Sequence, residues 1–167
     1  MRTKISHVLA LSLILAGACG GAKPHAAAPA ESTALRKGLN IKHTSVYVDD
    51  QDKALRFYTE VLGFAKKDDF SNGGYRWLTV ASADDPNGPE LQLALDNIPA
   101  AKAYQEAIFQ QGQPAAMFYT SDVKADYERI KAHGVEFTMP PTDVTMSTIA
   151  MLKDTCGNLV QLTQLKR

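Results

Sequence analysis

The sequence predicts an α+β domain of two paired βαβββ modules that form a curved mixed sheet around a cavity, and three observations lead there. Apolar residues at strand and helix spacing follow one another in the order strand, helix, strand, strand, strand. That order occurs twice, and the two occurrences are in register. Asp50 and Asp122, each placed to cap an amphipathic run, stand 72 residues apart, and the glycines that close those runs, Gly63 and Gly134, stand 71 apart. Each unit covers one face of its sheet with a helix and leaves the other open, so two units together enclose a cavity.

Residues 41–48 are rich in β-formers and precede Asp49 and Asp50, which cap DKALRFYTEVLGF. There Ala54, Leu55, Phe57, Tyr58, Val61 and Leu62 recur at helical spacing. Residues 64–70 and 75–81 read as strands joined by SNGG, a hairpin signal, and the turn DDPNGP leads to a strand over 90–95. Residues 100–111 (AAKAYQEAIFQQ) read as a bridging helix. The second half offers a strand over 115–120, a helix capped by Asp122, and strands over 135–139, 144–152 and 158–163.

The first 37 residues have a different character. Arg2 and Lys4 precede an apolar run over 8–16 (VLALSLILA), too short for a mature membrane span, and small residues follow, so residues 1–18 read as a secretion signal. LAGAC, ending at Cys19, resembles the lipobox of bacterial lipoproteins, which implies acylation of Cys19 and a lipid anchor in the membrane. Residues 19–37, rich in Ala, Pro and Gly, then form a flexible tether, and residues 38–167 form the folded domain. The expected location is the cell envelope, facing the periplasm. Secretion after Ala18 is the alternative if Cys19 keeps a free thiol. Cys156, without a partner in the domain, reads as a turn residue.

The chain is 45% hydrophobic and 22% charged with zero formal net charge. Loss of residues 1–18 leaves 16 basic against 18 acidic residues, so nothing recruits nucleic acid. Strand alternation sends Val46 and Val48 to the helix side and leaves His43, Ser45 and Tyr47 on the open face. Ala115, Met117 and Tyr119 take the matching places in the second half, with Trp77, Thr79, Gln92, Thr148 and Thr163 beside them. Aromatic rings and Met among amides and hydroxyls suit a small, mostly apolar or planar ligand. His133 sits at a helix C-terminus, where the dipole favours a cation.

The stretch HTSVYVDDQDKALRFYTEVLGF resembles the first βα unit of glyoxalase I and bleomycin-resistance proteins. RWLTV, DYERIKAHG and DTCGNLVQL resemble later stations of the same vicinal-oxygen-chelate superfamily, over about residues 39–165. In metal-dependent members four ligands come from four strands, and the resemblance carries them onto His43, Glu90, Ala115 and Gln161. It thus implies a divalent metal (zinc, nickel, manganese or iron) held by His43, Glu90 and Gln161, with Ala115 unable to contribute. Gln161 has no useful basicity, which leaves Glu90 as the one candidate base, and a single His departs from the two-His pattern of dioxygenases. The leading reading is a tethered binder of a small organic molecule in the cavity between the modules. A metal-dependent lyase or isomerase of the glyoxalase I type and a non-catalytic envelope scaffold are the alternatives, and a homodimer is compatible with each.

Overall fold

A computed structural model describes residues 38–166, so the signal segment 1–18, Cys19 and the tether 19–37 lie outside the described residues. The chain runs β1 (His43–Val48), α1 (Gln51–Arg56), β2 (Ala65–Asn72), β3 (Tyr75–Ala81), β4 (Glu90–Leu95) and α2 (Pro99–Gln110). It repeats the pattern with β5 (Ala116–Tyr119), α3 (Val123–Ala132), β6 (Phe137–Asp143), β7 (Ser147–Lys153) and β8 (Leu159–Leu165). The strands form two four-stranded mixed sheets, ordered β1-β4-β3-β2 and β5-β8-β7-β6. In each, the first and last strands of the module pair in parallel, β1 with β4 and β5 with β8. The two halves are therefore the paired βαβββ modules that the repeat predicts.

The caps repeat as well. Asp50 accepts from the backbone N–H groups of Asp52 and Lys53, both at 2.9 Å, and Asp122 accepts from Lys124 and Ala125 at 3.1 and 3.0 Å. Such a cap is worth roughly 1 kcal/mol. The first helix departs from regular spacing, because α1 runs on into a π-helical turn at Phe57–Val61 that the Leu62 N–H closes onto the Phe57 carbonyl at 3.1 Å. The wider turn lets adjacent Phe57 and Tyr58 both enter the core.

The hairpin turn reduces to Gly73 and Gly74, whose φ values of 58° and 83° fit the left-handed turn a tight hairpin needs. Strand β6 starts later than its apolar pattern suggests and runs through Pro140 and Pro141. It tolerates them because it is an edge strand and both prolines fall where its ladder with β7 shifts register between Met139 and Thr142.

Alternation decides the core. Val46, Val48, Leu78, Val80, Leu91 and Leu93 of the first sheet and Ala150, Leu152, Val160 and Leu162 of the second join one buried cluster with Tyr58, Val123 and Ile130. Each fully buried aliphatic side chain contributes roughly 1.5–3 kcal/mol. The covered faces thus share a single core. Phe64 and Phe118 meet across the halves with ring centroids 4.8 Å apart, and Arg129 Nη1 donates to the Val61 carbonyl at 2.6 Å.

A buried polar knot finishes this junction. Asp154 accepts from the backbone N–H groups of Cys156 and Asn158, each at 2.8 Å, from Asn158 Nδ2 at 2.7 Å and from the Tyr58 hydroxyl at 3.2 Å. Asn158 Nδ2 and Gln105 Nε2 both donate to the Tyr47 carbonyl at 2.9 Å, which fixes the end of β1 to the β7–β8 turn. Burial pushes the Asp154 carboxyl up from its ordinary range against the pull of its hydrogen bonds. The Cys156 thiol is pushed up to about 12, by burial first and by nearby Asp49 second.

Candidate functional site

On the open face of the first sheet, parallel pairing of β1 with β4 sets His43 beside Glu90 and Ser45 beside Gln92. The Glu90 side chain is 5% exposed and His43 39%, with His43 Nε2 3.4 Å from Glu90 Oε2. Thr79 donates its hydroxyl to Glu90 Oε2 at 2.9 Å, and Lys42 Nζ lies 3.8 Å from Oε1. Thr79 itself is aimed by a β-bulge. The β2–β3 register shifts between Lys66 and Asp69, and the Asp68 N–H donates to Thr79 Oγ1 at 3.1 Å.

Aromatic rings flank this polar cluster. The edge of His43 meets Trp77 at 5.4 Å between centroids and 78° between planes, and Trp77 stacks with Phe70 at 6.4 Å. Further along, Ser45 Oγ donates to Gln92 Oε1 at 2.8 Å, and Gln92 Nε2 donates to the Tyr75 hydroxyl. Ser45, Tyr47, Tyr75 and Gln92 line a cavity of about 290 Å³ with Leu95 and Ile98.

The second sheet repeats the geometry with different chemistry. Its β5–β8 register sets Met117 beside Gln161 and Tyr119 beside Thr163. Gln161 Nε2 donates to Thr163 Oγ1 at 3.0 Å and lies 3.6 Å from Met117 Sδ. Met117 and Tyr119 are exposed at 57% and 69%. Tyr119 and Thr148 line a groove of about 710 Å³ with Gln164, Leu165 and Lys166, and Thr148 donates to Asp143 at 2.5 Å.

The structure thus gathers His43, Ser45, Trp77, Thr79, Glu90 and Gln92 on one open face and Met117, Gln161 and Thr163 on the other, whereas Thr148, expected beside them, pairs with Gln164 and alternates onto the covered face with Ala150 and Leu152. Ala115 stands apart from both groups. It precedes β5, gives its N–H to the Leu159 carbonyl at 2.8 Å, and lines a gap of about 50 Å³ with Ser45, Val46 and Tyr104. The residue alongside Gln161 is Met117. Sequence reasoning passed over Lys42, Phe70 and Tyr75. Tyr75 had a signal, since it follows the glycine turn on the strand that carries Trp77.

These donors do not make a complete site for a divalent metal. His43 and Glu90 are suitable ligands, but Gln161 and Met117 offer only a neutral amide and a thioether. Among the described residues no three His, Cys, Asp or Glu side chains cluster. Both Glu90 oxygens already face partners, Thr79 and His43 at one and Lys42 at the other. The arrangement can hold and orient a polar group beside an aromatic surface.

Comparison with known proteins agrees with this architecture. Residues 40–162 match the family model described as the Glyoxalase/Bleomycin resistance protein/Dioxygenase superfamily. The chain is 51% identical over 126 residues to the uncharacterized protein YurT of Bacillus subtilis (strain 168), covering 75% of this chain and 99% of that one. A probable lactoylglutathione lyase of Vibrio cholerae serotype O1 is 28% identical over 133 residues, covering 76% and 91%. Among solved structures, UcmS2 superposes with a TM-score of 0.67 at 30% identity, covering 76% of this chain and 98% of its own. TnmS3, an antibiotic binding protein from Streptomyces sp. CB03234, superposes at 0.62 with 29% identity, covering 77% and 97%. The repeated βαβββ order, the parallel closure of each module and these matches together place the chain in the Glyoxalase/Bleomycin resistance protein/Dioxygenase superfamily.

Proposed function

We propose that this domain binds a small, mostly apolar organic molecule on its open sheet faces and does so without a resident catalytic metal. The observation that carries the reading is the first-half face, where Trp77, stacked on Phe70 and edge-on to His43, shares the open side with the hydrogen-bonded trio Ser45, Gln92 and Tyr75 while the metal positions stay incomplete. Likeness to the antibiotic binding protein TnmS3 supports it. In this reading a second copy of the chain supplies a further wall to the exposed apolar side chains of these faces, among them Tyr75, Met117 and Tyr119. Acylated Cys19 holds the domain at a membrane, facing the periplasm.

The chain's single tryptophan makes the test direct. Planar organic molecules titrated into the protein quench or shift Trp77 emission, and metal content after incubation with zinc, nickel, manganese or iron stays well below one per chain. Cys19→Ala moves the protein from the membrane to the soluble fraction. A second reading rests on the 3.4 Å approach of His43 to Glu90: a lyase or isomerase holding a divalent metal on His43, Glu90 and Gln161. Stoichiometric metal lost in His43→Ala selects that reading instead.

A further inference from the structure

The first-half groove also defines the chemistry of its occupant. Resting on the small-molecule reading of that groove, we infer that the ligand is uncharged and carries a carbonyl-type acceptor on a flat apolar body.

The acceptor follows from a count of protons. Ser45 and Tyr75 each bring one hydroxyl proton and the Gln92 amide brings two. The bonds Ser45 to Gln92 and Gln92 to Tyr75 use two of the four. One amide proton and the Tyr75 hydroxyl proton remain, on groups that line the cavity. Turning the amide end for end changes only which hydroxyl is spent: Tyr75 then donates and Ser45 keeps its proton. Either way the trio presents two donors to the occupant. Left unmet on ligand binding, a buried donor costs roughly 1–3 kcal/mol, so the groove selects an acceptor.

Neutrality follows from the charges. Arg76 is the one Arg or Lys residue at this cavity, and no Asp or Glu lines it. Its guanidinium is already committed, with Nε and Nη2 on Asp69 at 2.8 and 2.9 Å and Nη1 on Asp52 at 2.7 Å. Neither an anionic nor a cationic ligand finds a free counter-charge, and an unpaired charge is costly to desolvate. Tyr47, Ala94, Leu95 and Ile98 supply the apolar wall, and about 290 Å³ admits a body of two or three fused rings.

Three probes of one shape separate the parts of this inference: fluorene, 9-fluorenone and 9-fluorenone-4-carboxylate, titrated calorimetrically into the full chain. The Gln92 side-chain amide signals, followed by NMR, mark the site. Fluorenone is expected to bind at least about tenfold tighter than either of the others. Tyr75→Phe and Ser45→Ala each leave most of that preference, because the amide turns to free the remaining hydroxyl. The double variant still presents both Gln92 amide protons and keeps the preference, whereas the triple variant that adds Gln92→Leu narrows fluorenone over fluorene to under about threefold. Equal binding of all three probes, or a preference for the carboxylate, overturns the ligand class and leaves the small-molecule reading standing. No binding by any probe, together with no Trp77 response to a wider panel, overturns that reading and the ligand class with it.

Discussion

Lys42 Nζ stands 3.8 Å from Glu90 Oε1 while donating to the Asn87 and Gly88 carbonyls at 2.9 and 3.0 Å. The carboxylate that the family pattern gives to a metal therefore has an ammonium beside it, anchored by the turn before β4. A metal entering here meets that charge and has to compete for Glu90. Titration with zinc or nickel is expected to give a dissociation constant weaker than about 10 μM, and Lys42→Met, which removes the charge, tightens it by several-fold only, since the lysine is half exposed. Metal that survives dialysis against a chelator in the wild-type chain would sink this expectation.

The knot at Asp154 bears on stability rather than binding. Its carboxylate collects two backbone donors, an amide and a phenol, and it joins the π-helical turn after α1 to the β7–β8 turn of the second half. Asp154→Asn turns one acceptor into a donor facing donors, which costs roughly 2–3 kcal/mol in urea unfolding. Trp77 lies on the opposite face of its sheet from the core, so ligand affinity at matched folded fraction is expected to hold. A loss under about 0.5 kcal/mol would remove the knot from any structural role.

Alkaline pH tests the buried acids. Cys156, held at about 12 by burial, and Tyr58, held well above its usual value by burial and by Asp154, both keep their protons in the folded state. The unfolded thiol releases its proton near 9.0. Between about 9 and 12 the unfolded chain thus binds fewer protons than the folded one, and stability falls as pH rises through that window. Cys156→Ala shallows the fall and Tyr58→Phe shallows it above pH 10. A flat profile in the wild type would contradict the burial of both groups.

Much of the fold is legible in local rules: Asp50 and Asp122 cap, Gly73 and Gly74 turn, and Leu78 and Val80 alternate into the core. What stays hidden depends on register. Alternation puts residues 115, 117 and 119 on one face without ranking them, and the parallel β5–β8 pairing is what sets Met117 beside Gln161. The bulge that frees the Asp68 N–H for Thr79, and so aims Thr79 at Glu90, is likewise a property of two paired strands. The first-half site was half legible for the same reason. His43, Ser45, Tyr75 and Gln92 fall on the open side by period alone, whereas Lys42 joins the site only through hydrogen bonds to groups distant in sequence, and the bond that ties Tyr75 to Gln92 shows only in the fold.

The exposed faces carry the last prediction. Met117 and Tyr119 on β5, with Met146 and Leu165 nearby in the second half, present apolar surface that the chain's own core does not cover. The first half exposes Phe70, Tyr75, Leu95 and Ile98 in the same way. Apolar patches on two faces of a repeated module suit an isologous pairing in which the first half of one copy meets the second half of the other. Sedimentation or light scattering is expected to show a dimer at micromolar concentration. Tyr119→Glu places an unpaired charge in that contact and weakens it at least about tenfold, while thermal stability of the monomer is unchanged because Tyr119 lies outside the core. If a wild-type chain stays monomeric at high concentration and still binds its ligand as tightly, each open face works alone, and the second copy is no part of the site.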